Sequence, residues 1–166
     1  MKVIVIGCNH AGTWAVKTLK AVDPSCQVVT YDRNDNISFL ACGIALWVGG
    51  VVKDPKGLFY ATPESLKDEG IEVHMGHDVM KIDWANKKLH VKDLKTGKEF
   101  EDNYDKLILA SGSWPITPPI EGLKQEGTAY GLKKGIFFSK LYQQGQEIIE
   151  ELKRPDVKKV MVVGAG

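Results

Sequence analysis

Four consecutive apolar residues, Val3-Ile4-Val5-Ile6, run directly into Gly7-Cys8-Asn9-His10-Ala11-Gly12. A continuous apolar run of this length suits a strand buried on both faces. Residues 11–22 suit a helix, with Ala15, Val16 and Leu19 on one face and Pro24 beyond it. Residues 27–31 read as a second strand that ends at Asp32. Strand, loop, helix and strand within about 30 residues form a β-α-β unit, which favours a parallel pair and a right-handed crossover. An α/β fold of the Rossmann type follows, with a central parallel sheet.

The loop is a variant of G-x-G-x-x-G. Gly7 and Gly12 stand at the first and third glycine positions, which serve the tight turn and the close packing of helix on strand. Asn9 takes the middle position, where backbone approaches a pyrophosphate, and Asn tolerates unusual backbone angles better than most residues. The helix N-terminus would present its N–H groups to phosphate. Asp32 is placed to accept hydrogen bonds from an adenosine ribose, with Arg33 beside it.

Further along, residues 40–48 suit a short helix preceded by Ser38. Thr62-Pro63 marks another helix start, with a stop near Gly70. Strands are expected at 71–75, 78–84, 87–93 and 98–102 with turns between them, giving a β-meander. Residues 106–110 read as a buried strand, 114–135 as a connection, 139–152 as an amphipathic helix and 158–163 as a strand before Gly164-Ala165-Gly166. A strand followed by G-x-G is how a second dinucleotide fold opens, so the chain reads as the N-terminal fragment of a longer two-nucleotide protein.

Charge excludes some classes of function. With 22 basic and 21 acidic side chains, the net charge of +1 gives no electrostatic case for nucleic acid or an anionic membrane. No apolar stretch approaches the ~18 residues of a membrane span, and the N-terminus has no signal-peptide pattern, so a cytoplasmic protein is expected. The three cysteines, Cys8, Cys26 and Cys42, form no C-x-x-C pair. Neither a disulfide framework nor a metal site is expected.

Two residues have both a plain and a chemical reading. His10 is either a solvent-exposed loop histidine or a proton-handling group beside the phosphate loop. Cys42, in NISFLACGIALWVGG, is either a small apolar residue or a reactive thiol. Trp14 and Trp47 read as packing residues, and Cys8 as a strand-end residue.

The sequence VIGCNHAG, the acid at 32 and SFLACGIALWVGG together resemble the flavoprotein pyridine nucleotide-disulfide oxidoreductases that carry one redox cysteine. The resemblance covers the whole chain. Members include water-forming NADH oxidases, NADH peroxidases and coenzyme A disulfide reductases, and the S-F-x-x-C-G-I-A-L segment is of the NADH oxidase type. The resemblance implies FAD as cofactor and NADH as substrate. Gly7, Asn9, His10, Ala11 and Gly12 would hold the FAD pyrophosphate, with Asp32 and Arg33 at the ribose and the Val79 backbone at the adenine. Ala110, Ser111, Gly112 and Ser113 would form the later loop that closes on FAD; the family often has threonine at the position of Ser111. Lys140 resembles a basic residue near the flavin.

Cys42 and His10 would be catalytic. Electrons from NADH would pass through FAD to dioxygen, a Cys42 thiolate would take oxygen from peroxide and become a sulfenic acid, and His10 would handle the proton. Peroxide or coenzyme A disulfide as acceptor is the alternative, and an inactive FAD-binding fragment is the non-enzyme alternative. The implied division is an FAD-binding domain at 1–115, a connection and helix at 116–156, and the start of an NAD(P)H-binding domain at 157–166. The implied partners are FAD, NADH and dioxygen or peroxide, in a homodimer or tetramer of the full-length protein.

Overall fold

A computed structural model describes residues 1–164. The chain divides into two compact units. The first comprises 1–39 and 59–113, the second 40–58 and 114–166.

The first unit is built on a parallel sheet. Strand β1 (Lys2–Ile6) pairs with β2 (Gln27–Asp32) on one side and β7 (Lys106–Leu109) on the other, and β2 pairs with β3 (Glu72–Met75). Helix α1 (His10–Val22) makes the crossover between β1 and β2. Alternation along the strands sorts their side chains to two faces. Val3, Val5 and Val28 meet Val16 of α1 together with Ile37, Leu66 and Ile71. Ile4, Val29 and Tyr31 point the other way, against Leu89, Val91 and Tyr104. Both faces of the sheet are therefore covered, which is why β1 reads as an unbroken apolar run. Each fully buried aliphatic side chain here is worth about 1.5–3 kcal/mol.

Strands β4 (His77–Asp83), β5 (Lys88–Asp93) and β6 (Glu99–Asn103) form the covering antiparallel meander. The expected meander of four strands is thus one of three. The 71–75 segment pairs instead with β2 in the parallel sheet, because helix α3 (Pro63–Asp68) and Gly70, at φ +77°, return the chain parallel to β2. The start of α3 follows expectation: Thr62 accepts from the Ser65 N–H and Ser65 accepts from the Thr62 N–H, closing a capping box behind Pro63.

Other expectations need correction. Residues 106–109 do not form a buried strand. Among the described residues β7 pairs only with β1, and Leu109 is 56% exposed. Trp14 is not packed away either; it stacks on Tyr60 with most of its surface open.

In the second unit, residues 41–43 form a 3-10 turn that continues into α2 (Ile44–Val48). Helix α4 begins at Tyr142 and ends at Leu152, three residues later at its start than the sequence suggests. Gln144 accounts for the shift. Its Oε1 accepts the backbone N–H groups of Lys140 and Leu141, which fixes the helix entry at that point. The Trp47 ring stacks on Tyr142 at 5.2 Å, and a Cβ at Gly145 would fall 2.9 Å from that ring. Glycine inside α4 therefore serves close packing of α2. Residues 157–164 adopt no regular secondary structure, and Val160, Met161, Val162 and Val163 are exposed. A strand needs a neighbouring strand to accept its backbone groups, and no pairing involves this run among the described residues. Ala165 and Gly166 of the expected second glycine loop lie outside the described residues.

Candidate nucleotide and redox site

The C-terminal ends of β1, β2 and β7 converge in the first unit. The Gly7 N–H donates to the Tyr31 carbonyl, and the Ala110 N–H donates to the Ile6 carbonyl. Gly7 has φ +93°, and a Cβ there would lie 2.4 Å from the Ala110 oxygen. Gly12 is tighter still: its Cβ would lie 1.8 Å from the Gly7 oxygen. Only glycine fits at either place, because both neighbours are backbone. The crevice outside the carboxyl ends of parallel strands is where open α/β sheets take ligands.

Asn9 caps α1 with its backbone, its carbonyl accepting from the Thr13 N–H at 2.8 Å. Its φ is −93°, so the left-handed tolerance of asparagine is not used; the positive φ falls on Gly7. The first turn of α1 holds no acidic residue. The N–H groups of that turn lack intrahelical partners and their dipole favours an anion. Asn9, His10 and Ala11 are exposed at this end.

Asp32 closes the loop from the other side. It is 8% exposed, and its two carboxylate oxygens accept from the Cys8 N–H at 2.6 Å and the Asn34 N–H at 2.8 Å. Burial pushes its pKa above the ordinary carboxylate value, against the pull of those N–H donors and Arg33. Each oxygen retains acceptor capacity for a sugar hydroxyl. Cys8 is fully buried and its thiol is pushed up, chiefly by burial. Its part is structural: its N–H ties the loop to Asp32, and its carbonyl accepts from the Thr13 hydroxyl.

The Arg33 guanidinium, mostly exposed, lies 3.9 Å from Asp78, the residue before Val79. Val79 precedes an irregularity in the pairing of β4 with β5. Ser111, Gly112 and Ser113 follow β7, with Gly112 at φ +70°. Gly7, Asn9, His10, Ala11, Gly12, Asp32, Arg33, Val79 and the 110–113 loop thus share the first unit. Cys42 and Lys140 belong to the second.

Cys42 is exposed in the 41–43 turn, whereas Cys8 and Cys26 are buried. The accessible position expected of a reactive thiol is met by Cys42 alone. A thiol-specific reagent added to the native chain is expected to label one cysteine per chain within minutes, at Cys42. Labelling at Cys8 or Cys26 under the same conditions, read by peptide mass, would contradict this burial pattern.

Ser38 and Tyr60 matter more here than sequence reasoning gives them. Ser38 does not cap the 40–48 helix, whose entry has no side-chain cap. It is fully buried at φ +59°; its hydroxyl donates to the Ala61 carbonyl and accepts from the Tyr60 and Ala61 N–H groups. Its own N–H donates to the Cys8 carbonyl. The 7–12 loop and the 60–61 segment are thereby joined through one residue, Ser38. The Tyr60 hydroxyl is 3.1 Å from His10 Nδ1. Tyr60 lies in no periodic pattern and no motif, so the sequence carries no signal for it.

Comparison with known proteins places this arrangement. The family described as pyridine nucleotide-disulphide oxidoreductase matches residues 1–166. The chain belongs to that family. Among curated relatives, an NADH oxidase of Enterococcus faecalis is 49% identical over the whole chain, and one of Mycoplasma pneumoniae is 47% identical over 99% of it. The solved water-forming NADH oxidase from Lactobacillus brevis, bound to NADH, is 45% identical and superposes with a TM-score of 0.84 over 92% of the chain. The chain spans about a third of these relatives: 35% and 36% of the two curated proteins and 32% of the solved one. As a pyridine nucleotide-disulphide oxidoreductase, the chain shares with that solved oxidase its parallel sheet and flanking helices.

Proposed function

We propose that the chain is the FAD-binding part of an NADH oxidase that reduces dioxygen to water through FAD and a Cys42 thiolate/sulfenic acid couple. The observation that carries the reading is the pairing, in one family member, of a glycine-only phosphate turn at Gly7 and Gly12 with an exposed cysteine in the S-F-x-x-C-G-I-A-L segment. The NADH oxidases of Enterococcus and Mycoplasma named above are similar to this chain over 100% and 99% of its length.

The residues fit the cofactor. The first-turn N–H groups of α1 suit a pyrophosphate, the Asp32 carboxylate suits ribose hydroxyls, and the glycine contacts leave backbone rather than side chain at the turn. Bound FAD would supply the transfer of electrons from NADH to dioxygen and, in the second half of the cycle, to the oxidised sulfur. In this reading Asp32 and the loop fix the dinucleotide. The 110–113 segment closes on it, and Arg33, Val79 and Lys140 add contacts along its length.

Cys42 removes the peroxide. Its thiolate attacks one peroxide oxygen, the O–O bond breaks, and the sulfur is oxidised to sulfenic acid while the other oxygen departs as hydroxide. His10 hydrogen-bonds the departing oxygen and passes it a proton while taking one back from solvent, so that the hydroxide leaves as water. Two electrons and a proton then return the sulfur to thiolate and release a second water. No resolving cysteine is needed at this reversible first rung of thiol oxidation, and neither Cys8 nor Cys26 is accessible for that work. We extend the proposal to the domain division: 1–115 for FAD, 116–156 as connection and helix, 157–166 opening an NAD(P)H-binding domain. The whole protein would work as a homodimer or tetramer.

The test is acceptor choice by the full-length protein loaded with FAD. NADH is expected to be oxidised with dioxygen as the only acceptor. Turnover that requires added peroxide, or that requires coenzyme A disulfide and yields free thiol, would replace this reading with a peroxidase or a disulfide reductase.

A further inference from the structure

His10 and Trp14 are four residues apart on α1, so they share one face of the helix. The Tyr60 ring lies against both. It stacks on His10 at 5.6 Å between centroids and 15° between planes, and on Trp14 at 6.3 Å and 20°. Its hydroxyl meets His10 Nδ1 at 3.1 Å. The Tyr60 backbone is fixed in turn, because its N–H and that of Ala61 both donate to the buried Ser38 hydroxyl. The adjoining Phe39 and Phe59 form an antiparallel bridge with their rings 5.3 Å apart. A ring held this firmly against an exposed histidine is unnecessary for burying His10, which stays exposed.

We propose that Tyr60 is a positioning residue for His10: its hydroxyl donates to Nδ1 and holds the imidazole as the Nε2–H tautomer, with the ring plane set by the stack. A phenol O–H is a better donor than an imidazole N–H, and an imidazole nitrogen is a better acceptor than a phenol oxygen, so the proton in this bond sits on Tyr60. Burial pushes the Tyr60 phenol up, which keeps the hydroxyl protonated. With Nδ1 engaged, Nε2–H is the donor that His10 offers to chemistry. This is the reverse of a Ser-His-Asp triad, whose carboxylate accepts from Nδ1–H and leaves Nε2 a base; here the orienting hydroxyl donates to Nδ1 and leaves Nε2–H as a hydrogen-bond donor. The catalytic consequence rests on the proposed role of His10, but the tautomer itself does not.

The tautomer is read directly on the 15N-labelled chain by long-range proton–nitrogen correlation spectra of His10, recorded with the ring neutral and no cofactor present. The expected result is a protonated Nε2 and an acceptor-type Nδ1 in the wild-type chain, and a shift toward a mixture in Tyr60→Phe. In the FAD-loaded full-length protein, Tyr60→Phe is expected to lower kcat roughly tenfold and to move the pH profile, with KM for NADH unchanged. Tyr60→Leu, which also removes the stack, is expected to lower kcat further. A wild-type His10 protonated at Nδ1, identical spectra in the two chains, or a Tyr60→Phe protein with wild-type kcat and pH profile would overturn the inference. If the wild-type protein oxidises no NADH with dioxygen, the oxidase reading fails, while the spectra still decide the tautomer.

Discussion

Replacing Cys42 with serine in the full-length protein is expected to turn a water-forming oxidase into a peroxide-forming one. Serine keeps the size and the exposed position of Cys42. It lacks a nucleophile able to take an oxygen atom from peroxide, because a hydroxyl does not climb the oxidation ladder open to a thiolate. Peroxide would then leave intact. About one peroxide per NADH is expected in the variant against none in the wild type, with NADH oxidation itself persisting because electron transfer through bound FAD does not need the sulfur. Peroxide is measured by a coupled dye assay alongside oxygen uptake. A Cys42→Ser protein that still releases no peroxide would remove the cysteine from the mechanism. Loss of all NADH oxidation would also contradict the assigned order of steps.

The second large effect is structural. Gly12→Ala would place a methyl carbon 1.8 Å from the Gly7 carbonyl oxygen, and Gly7 is itself held by the Tyr31 carbonyl and by close approach to Ala110. Backbone on the far side cannot swing away as a flexible side chain would. The helix must move off the sheet, separating Val16 from Val3 and Val5. The expected cost is about 3 kcal/mol or more, a large part of the ~5–15 kcal/mol that holds a domain together. Thermal unfolding is expected to fall by roughly 6 °C or more, since 1 kcal/mol shifts a chain of this size by about 2–4 °C. FAD binding, followed by the yellow absorbance of the oxidised cofactor, is expected to be lost with it. Gly57→Ala supplies the control: no atom lies within 4 Å of its added Cβ, so unfolding should move by no more than about 0.5 kcal/mol. Equal effects at Gly12 and Gly57 would show that the tight loop contact does not control stability.

The sequence was most legible where local pattern and long-range packing agree. Val3-Ile4-Val5-Ile6, Gly7, Gly12 and Asp32 sit where a β-α-β reading places them, because the apolar run, the turn and the strand-end acid each follow from local chemistry. The start of α3 was legible for the same reason: Thr62-Pro63 caps a helix in isolation as it does here. Partner choice was not legible. Nothing in Glu72–Met75 says whether it pairs with β2 or with β4, and nothing in Lys106–Leu109 says how many neighbours it has. Such pairings are decided by where the chain returns, not by its local pattern. The run at 158–163 has the composition of a strand, yet composition supplies no partner for its backbone.

The candidate site divides in the same way. His10 and Cys42 stood out through their motifs, and the exposure of both agrees with chemistry that needs access. Ser38 was visible only as a helix-start residue. Its actual work, accepting two N–H groups from the 60–61 segment, spans more than twenty residues and leaves no local trace. Tyr60 left none at all, although its hydroxyl is the hydrogen-bond partner of His10 Nδ1. Residues that orient a reactive group are chosen by three-dimensional proximity, so a spacing pattern identifies the reactive group before it identifies its support.

The stoichiometry of oxygen uptake separates a water-forming oxidase from a peroxide-forming one. With the FAD-loaded full-length protein and limiting NADH, one dioxygen is expected to be consumed for every two NADH, with no hydrogen peroxide. One dioxygen per NADH with matching peroxide would contradict the water-forming reading.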